Sequence, residues 1–345
     1  MQNRLYILRI ILPALLAAAS LASCRKEQSP VPAGDTAIAF SSSVSGTKAL
    51  INAVTDMTAF KVYGYYTIDG TASYTAFDGT EVTRAGALWQ YSPARYWVPD
   101  AKYSFAAFHP ADASVRIVNP DIDGNGVFEE LSFEYEKTGF YDDFMLASAS
   151  MTTDKAAENG YKVGLNFSHI LSNIKINIGF ADDVQNGTYI RITRAEINGM
   201  KSSGTYTVGQ GWSDLSTTSL QLTSNIPDVV LKKIDDKVYN NDTELTDGTI
   251  SPTGDEGLTV IPVDLTENSN AVRIILNCEI SSDGINYTAK RIEKTIRATG
   301  SVPAWLEGKS YTYKALLDVD YSISFAEPTV TDWEDEQATG SVIIK

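Results

Sequence analysis

The amino-acid sequence predicts an all-β fold built from antiparallel sheets. Short segments in which apolar and polar residues alternate recur along the chain, as expected for strands with one buried face. No stretch of the 345-residue chain keeps a helical period over three turns, although residues 142–149 are compatible with one helical turn. Asp-Gly and Asn-Gly pairs, which suit tight turns with positive φ, occur nine times. They end at Gly70, Gly79, Gly124, Gly126, Gly160, Gly187, Gly199, Gly248 and Gly284.

The alternating segments define the predicted strands in chain order. In one of them Ile274, Leu276, Cys278 and Ile280 fall on the same face, which is typical of a half-buried strand. Cys278 is therefore expected to be a small core residue rather than a reactive thiol. The predicted strands are residues 37–44, 59–66, 103–108, 163–167, 174–178, 189–197, 258–263, 272–280, 310–320 and 341–345.

A polar stretch at residues 152–160 separates the predicted strands into two groups. The chain is long enough for two domains that each bury a core. We therefore expect one β-sandwich over residues 36–158 and a second over residues 159–345. Residues 24–35, which contain two prolines and a glycine, are expected to be a tether that precedes the fold.

The first 23 residues have the three-part layout of a secretory signal peptide. Arg4 and Arg9 precede or border a short apolar run, residues 10–19, and small residues follow it. The sequence Leu21-Ala22-Ser23-Cys24 resembles the lipobox of bacterial lipoproteins, in which cleavage precedes the cysteine and lipid is attached to it. The resemblance implies that Cys24 is the lipidated N-terminus of the mature chain. The alternative is an ordinary signal peptide with an incidental cysteine.

Composition, net charge and the lack of certain motifs argue against several classes of function. Acidic residues outnumber basic residues 43 to 28, for a net charge of −15, so nucleic acid is a poor partner because its phosphates would be repelled. Two cysteines and two histidines exclude a disulfide scaffold and argue against a zinc site. No nucleotide-binding or redox motif is present, so we expect no cofactor.

An ordered series of motifs resembles the fimbrillin, or Mfa-like, family of Gram-negative cell-surface lipoproteins. Each motif alone is an ordinary aromatic strand pattern, and it is their order and spacing over nearly the whole mature chain that is specific. The motifs are residues 47–49, Phe60-Lys-Val-Tyr-Gly64, Leu88-Trp-Gln-Tyr-Ser-Pro-Ala-Arg-Tyr-Trp-Val-Pro99, Tyr103-Ser-Phe-Ala-Ala-Phe-His-Pro110, Asp143-Phe-Met-Leu-Ala147, residues 163–176 and Val330-Thr-Asp-Trp333.

The resemblance implies two β-sandwich domains of transthyretin-like topology and a role in adhesion as a pilus subunit, tip or anchor. In polymerising members a protease, typically arginine-specific, removes the lipidated first strand, and a strand from a neighbouring subunit fills the groove. On this basis residues 37–40 are the strand to be lost. The donor strand is expected at Ser341, Val342, Ile343 and Ile344, although these residues would also suit an ordinary last strand of their own sheet.

The sequence departs from the polymerising pattern at the processing site. The loop after the first strand contains Lys48 instead of an arginine, and the first arginine beyond Arg25 is Arg84. Three outcomes are therefore open: cleavage at Lys48 by a lysine-accepting protease, cleavage at Arg84, or no cleavage. An uncut chain would remain anchored by lipid to the outer membrane.

Other residues admit binding or catalytic interpretations. Asp121, Asp123 and Asn125 resemble the start of a calcium loop, although Ser132 stands where a bidentate glutamate is expected and a polar hairpin turn explains them equally. Aromatic residues of one segment suit either a sugar-stacking platform or core packing. These residues are Trp89, Tyr91, Tyr96 and Trp97.

Catalysis is not predicted. His169 and Ser172 are neighbours in the sequence, but no acid that would orient the histidine is evident, and His109 precedes a proline at a strand end. Adjacent acidic residues are expected on solvated turns. We therefore expect a lipid-anchored fimbrial protein of the outer membrane surface whose partners are other pilus subunits, with a surface glycan-binding lipoprotein as the alternative.

Overall fold

The computed structural model describes residues 33–44, 57–70, 72–119, 132–136, 143–216, 219–224, 229–253, 257–266, 272–318, 320 and 322–333. The helices are a 3-10 helix (Ala33–Asp35) and α1 (Thr153–Glu158). The strands are β1 (Ala39–Val44), β2 (Ala59–Thr67), β3 (Tyr74–Ala85), β4 (Leu88–Gln90), β5 (Lys102–His109), β6 (Val115–Asn119), β7 (Ser132–Glu136), β8 (Met145–Thr152), β9 (Lys162–His169), β10 (Ser172–Phe180), β11 (Tyr189–Lys201), β12 (Ser203–Thr207), β13 (Gly211–Ser213), β14 (Ser219–Ser224), β15 (Val229–Ile234), β16 (Lys237–Asn240), β17 (Thr243–Glu244), β18 (Thr249–Ile250), β19 (Leu258–Val260), β20 (Val263–Asp264), β21 (Arg273–Ser281), β22 (Thr288–Thr295), β23 (Ala304–Trp305), β24 (Lys309–Leu317), β25 (Ile323–Phe325) and β26 (Thr329–Asp332).

Seven strands form one sheet in the order β1-β9-β8-β5-β2-β3-β4, which we call the rolled sheet. Its two edges come together, because Trp89 Nε1 on β4 donates a hydrogen bond of 2.9 Å to Ser42 Oγ on β1. The enclosed face is packed mainly with aromatic rings, and we call it the aromatic core. Its buried rings are Phe40, Phe60, Phe77, Trp97, Tyr103, Phe105 and Phe167.

Glycine at position 64 makes the dense packing of the aromatic core possible. A Cβ atom at Gly64 would lie 2.9 Å from the Phe77 ring and 3.0 Å from the Phe105 ring. Both distances are shorter than side chains tolerate, so a larger residue would push two core rings apart. The motif that contains Gly64 is therefore explained by packing.

Strand β5 is buried on both faces and connects two cores. Tyr103 and Phe105 belong to the aromatic core, whereas Ala106 and Phe108 face a second cluster, which we call the junction core. A four-stranded sheet, in the order β13-β12-β7-β6, covers this cluster. The junction core draws on both halves of the chain, and its buried members are Ala106, Phe108, Phe133, Tyr135, Phe144, Leu146, Ile170, Leu171, Tyr206, Ile261 and Trp333.

The C-terminal half forms a sandwich of two sheets. One sheet has the order β18-β10-β24-β25, with β19 also on β10 and β26 also on β24. The other has the order β17-β16-β15-β11-β21-β22, with β14 also on β11. Between them lies a cluster rich in isoleucine, leucine and valine, the aliphatic core, which includes Ile176, Ile192 and Leu276. A separate pair of short strands, β20 and β23, lies beside it.

The predicted all-β fold of sheets with mainly antiparallel neighbours is confirmed, with two parallel pairs as exceptions, β1 with β9 and β10 with β24. The helical turn considered for residues 142–149 is wrong, because β8 pairs along its length with β5. The polar stretch expected to separate the two groups of strands, residues 152–160, contains α1, where the Thr152 side chain accepts a hydrogen bond of 3.2 Å from Lys155 N. Strand β9 then re-enters the rolled sheet, which therefore extends past residue 158 to His169.

Every Asp-Gly or Asn-Gly glycine that the structure describes has a positive φ. Gly70 and Gly284 lie in hairpin turns, as the pairs predict. Gly199 instead lies inside β11, where the register with β14 shifts between Ile197 and Met200. A positive φ within a strand is typical of a β-bulge, so the same dipeptide serves two purposes in this chain.

The six-residue α1 is the only α-helix among the described residues, and none of these residues lies in a helix long and apolar enough to cross a bilayer.

Candidate functional site

The first strand occupies a position at the edge of the rolled sheet that connects it to two partners. Along one side β1 runs parallel to β9, from Ala39 opposite Lys162 to Val44 opposite Phe167. On the other side, the residues just before β1 bond to residues 95–97: Ile38 N donates to Arg95 O at 2.8 Å and Trp97 N to Thr36 O at 3.1 Å. The segment 36–44 therefore lies in a slot between β9 and the 95–97 segment.

The alternation expected for a strand directs two apolar side chains of this segment inward. Ile38 and Phe40 are buried, whereas Ser41 and Ser43 are exposed. The Phe40 ring contacts Phe77, Tyr91, Phe60 and Phe105 at centroid distances of 5.4, 5.8, 6.0 and 6.1 Å, mostly edge to face. Phe40 thus fills a socket whose walls come from β2, β3, β5 and the segment after β4.

Polar side chains fasten the strand at its borders. Tyr91 Oη donates a hydrogen bond of 2.6 Å to Ile38 O, in addition to the bond from Trp89 to Ser42. Ser43 Oγ donates to Asn166 Oδ1 on β9 at 2.9 Å. Burial raises the pKa of Tyr91 above its ordinary value, so its hydroxyl remains a donor over the physiological pH range.

The first strand contributes little buried apolar area to the rolled sheet. Two buried apolar side chains supply about 3–6 kcal/mol of gross hydrophobic stabilisation before ordering costs. Edge-strand hydrogen bonds exchange with water bonds and add about 1 kcal/mol each. Removing the strand would expose an aromatic socket and unpaired backbone groups of β9, which together form an acceptor for another strand.

The predicted processing residues differ in what the structure shows of them. Arg84 lies within β3, opposite Trp89 of β4, and its backbone N–H bonds to Thr58 O at 2.8 Å. Its guanidinium lies 5.8 Å from the centre of the Trp89 ring. Cleavage after Arg84 would separate β1, β2 and nearly all of β3 from the rest of the rolled sheet.

Several predicted site residues lie outside the described residues. These are the lipidation site Cys24, the processing candidate Lys48, the donor residues Ser341, Val342, Ile343 and Ile344, and the calcium candidates Asp121, Asp123 and Asn125. Their roles stay predictions.

The four aromatic residues considered as a sugar-stacking platform do not share one exposed surface. Trp97 is fully buried and Trp89 and Tyr91 are half-buried against the aromatic core, whereas Tyr96 is 52% exposed. Trp97 Nε1 also donates a hydrogen bond of 3.3 Å to Tyr161 O. The sequence alternative of core packing therefore describes three of these rings.

The structure places an acid beside His169 that sequence reasoning missed. His169 Nδ1 lies 3.0 Å from a carboxylate oxygen of Asp143, which is 26 residues away in the chain. The Trp333 ring stacks on His169 at a centroid distance of 4.2 Å. The two residues belong to separate sequence motifs, and the pairing of β8 with β9 brings Asp143 and His169 together.

These polar groups do not form a catalytic arrangement. Ser172 Oγ donates to Leu306 O at 2.7 Å instead of to a histidine, and both His169 and Asp143 are buried. His109 Nδ1 lies 2.7 Å from Ala59 O, and burial lowers the pKa of His109 below its ordinary value. His109 and Ser172 each bond to a backbone carbonyl, and Asp143 bonds to His169, so these buried side chains connect separate segments of the chain.

Cys278 lies in the aliphatic core, where burial raises the pKa of its thiol to about 11, so at neutral pH it is an unreactive thiol. Within the described ranges, no group of three or more His, Cys, Asp or Glu residues is placed to bind a metal ion.

Comparison with known proteins identifies the family. The sequence profile described as fimbrillin-like matches residues 47–333. A fimbrial protein from Bacteroides vulgatus has the same fold, with 16% identity, a TM-score of 0.53, and coverage of 86% of this chain and 99% of that chain. A candidate cell adhesion protein from Bacteroides uniformis has 14% identity, a TM-score of 0.49, and coverage of 87% and 98%. No curated protein matches the chain. Because the profile spans most of its length, the chain belongs to the fimbrillin-like family.

Proposed function

We propose that the chain is a cell-surface pilus subunit that takes part in adhesion and assembles by β-strand exchange. In this proposal β1 is lost and a strand from a neighbouring subunit occupies the slot between β9 and residues 95–97. The observation that carries the proposal is the Phe40 socket, because four aromatic rings converge on one side chain of a short terminal strand. A preformed apolar socket beside open backbone groups favours strand addition.

The donor in this proposal is the C-terminal segment with Ser341, Val342, Ile343 and Ile344. Its apolar side chains would enter the socket from which Phe40 departs, and its backbone would pair with β9. Before processing, Cys24 anchors the subunit to the outer membrane through its lipid. A stalk, tip or anchor role is compatible with this scheme.

Cleavage near Lys48 agrees better with strand exchange than cleavage at Arg84. A cut after residue 48 releases β1 and leaves the walls of the socket in place. A cut after Arg84 also releases Phe60, Phe77 and Val82, three buried members of the aromatic core. Each large core side chain contributes several kcal/mol, so this second product would lose the socket itself.

The test is N-terminal sequencing of the chain recovered from assembled surface fibres. We expect the sequence to begin after Lys48 in the parent chain, and expect Lys48→Ala to leave full-length, lipidated monomers. Arg84→Ala is the matched control and should assemble normally. Full-length chains within fibres would contradict the proposal, and so would lipidated monomers that never assemble in the parent strain.

The proposed role is structural, not catalytic. The buried placement of Asp143 and His169 and the Ser172 bond to a carbonyl support this assignment.

A further inference from the structure

A groove of about 610 Å³ lies at one border of the C-terminal sandwich. One wall is the end of β22 with the residues after it, and the other is β25 with the residues up to Pro328. Tyr313 of β24 also lines the groove. Cavities of about 300–1,000 Å³ are typical of sites that bind small molecules, so this groove has the size of a ligand site.

Two aromatic rings supply the apolar part of the groove. Tyr313 is buried, and its hydroxyl accepts a hydrogen bond of 2.8 Å from Trp305 Nε1, which fixes the position of the ring. The half-buried Phe325 contacts Tyr313 edge to face at a centroid distance of 5.9 Å. The groove therefore presents a partly exposed aromatic surface against which another apolar face can pack.

The two acidic residues that line the groove are bonded to neighbouring side chains. Glu293 accepts hydrogen bonds from Arg291 Nη1 at 2.6 Å and from Arg273 Nη1 at 2.8 Å. These bonds lower the pKa of Glu293, so its carboxylate stays ionised and is neutralised by the two arginines. Glu327 accepts a hydrogen bond of 2.9 Å from Thr299 Oγ1. Neither acid therefore needs a basic residue of the groove as its partner.

The two basic residues of the groove, Lys294 and Arg297, remain available to a ligand. Both are exposed, and neither forms an ion pair or a hydrogen bond with another residue of the described ranges. Three residues of extended chain span at most about 11 Å, so both side chains can reach one ligand. In a chain with 28 basic and 43 acidic residues, the groove is therefore a local site of positive charge.

These features fit a ligand that carries a carboxylate on a ring with an apolar face. A guanidinium group binds a carboxylate through two parallel hydrogen bonds, and the aromatic surface packs against the ring. An extended peptide fits less well, because Lys294 stands opposite Ile274 on the core-facing side of the edge strand β22. Lysine in that position is typical of sheet edges that exclude unrelated strands.

We propose that this groove binds acidic sugar units of a glycan. Arg297 pairs with the carboxylate of a sugar, Lys294 contributes a second contact to its anionic groups, and Phe325 packs against the apolar face of the sugar ring. The inference rests on the proposed function only in its adhesive role, for which it names the chemistry of the surface that is bound. It does not depend on strand exchange.

Isothermal titration calorimetry of the full-length chain, purified in detergent, tests the site. We expect tetragalacturonate or a hyaluronan tetrasaccharide to bind. The neutral galactotetraose should bind at least about tenfold more weakly, because it lacks the carboxylates. Raising the NaCl concentration from about 20 to about 200 mM should weaken binding of the acidic probe, because salt screens exposed charges.

Substitutions locate the binding site on the molecule. The double variant Lys294→Gln with Arg297→Gln should lower the affinity for the acidic probe at least about tenfold. Lys102→Gln is the matched control, because Lys102 is exposed on β5 of the rolled sheet, and it should leave the affinity unchanged. Phe325→Leu should lower the affinity about threefold through the lost ring contact. Circular dichroism of each variant checks that it is folded.

Four results would overturn the proposal. Neither acidic tetrasaccharide binds; galactotetraose binds as tightly as the acidic probes; the folded double variant keeps the parent's affinity; or hexaglutamate binds through Lys294 and Arg297 while the tetrasaccharides do not, which would assign the groove to an acidic peptide. Binding by chains that never assemble into fibres would refute strand exchange and leave this inference standing. Normal fibres whose chains bind neither acidic probe would do the reverse.

Discussion

The aromatic core of the rolled sheet and the aliphatic core of the C-terminal sandwich are built from different side chains and depend on their strands differently. The aromatic core relies on Phe40, which comes from a terminal strand with two buried apolar side chains. The aliphatic core relies on strands such as β10, which has β24 on one side and β18 and β19 on the other. One core can be opened by removing a single end of the chain, whereas the other is built on central strands, such as β10, that have partners on both sides. The rolled sheet is therefore the region from which a strand can be removed.

The largest effect is expected from Phe40→Ala. Truncating a buried phenylalanine should destabilise the rolled sheet by about 3–5 kcal/mol, because the socket of four rings cannot collapse around alanine. Hydrogen exchange should become faster in β1 and β9 and stay unchanged in β10, β11 and β21. Ser41→Ala on the exposed face of β1 is the control and should change stability by less than about 0.5 kcal/mol. Equal loss of protection in both cores would show that they unfold as one unit.

Ile176→Ala tests the other side of the comparison. Ile176 is buried in the aliphatic core on β10, and its truncation should cost about 2–5 kcal/mol. Exchange should increase in β10, β24 and the facing β11 and β21, while β1 and β9 keep their protection. If Ile176→Ala instead increased hydrogen exchange in β1, the packing of the first strand would depend on the C-terminal sandwich. In that case β1 could not be removed independently of the sandwich.

Much of this division follows from the sequence, and the failures have identifiable causes. Alternation identified β2, β9, β10, β11 and β21, since in each of them apolar residues recur at every second position over several residues. Alternation did not identify β22, because its inward positions 290 and 294 are lysines at a sheet edge. The charges that protect an edge also remove the hydrophobic period on which strand prediction depends.

The sequence predicts the first strand of the candidate site but not the aromatic socket that surrounds Phe40. The sequence marked residues 37–40 as the strand to be lost through family resemblance, and alternation places Phe40 inward. The rings around Phe40 come from residues 60, 77, 91 and 105, and the curl of the sheet that gathers them depends on long-range pairing. For the same reason the pair of Asp143 and His169 could not be recognised before β8 and β9 were aligned.

Acid should weaken the rolled sheet through His109. Burial lowers the pKa of His109 in the folded state below its ordinary value, with Asp143 and Asp112 acting in the opposite direction and His169 in the same direction. The unfolded chain then binds more protons between the folded and unfolded pKa values, so stability is lost as pH falls from about 6.5 towards the folded pKa. Urea unfolding followed by tryptophan fluorescence from pH 8 to pH 5 should show this loss.

His109→Gln separates the contribution of this histidine from that of other acid-sensitive groups. The variant should have a smaller slope of stability against pH in that range, and stability lower than the parent at pH 8 because the bond to Ala59 O is altered. An unchanged slope would assign the acid response to other groups.

The smallest effect is expected from Trp89→Phe, which removes one hydrogen bond from the border of β1. The Trp89 ring lies 4.9 Å from Phe60, and phenylalanine can keep much of that contact, but Ser42 Oγ loses its donor. We expect a loss of about 0.5–1.5 kcal/mol, seen as faster exchange in β1 and its partners on β9 alone. Tyr96→Phe is the control, because Tyr96 is exposed and lies in the same segment. Faster exchange in β2 and β5 as well would mean that the hydrogen bond from Trp89 to Ser42 stabilises the whole rolled sheet. A change limited to β1 would mean that the first strand can loosen while the socket that receives its replacement stays formed.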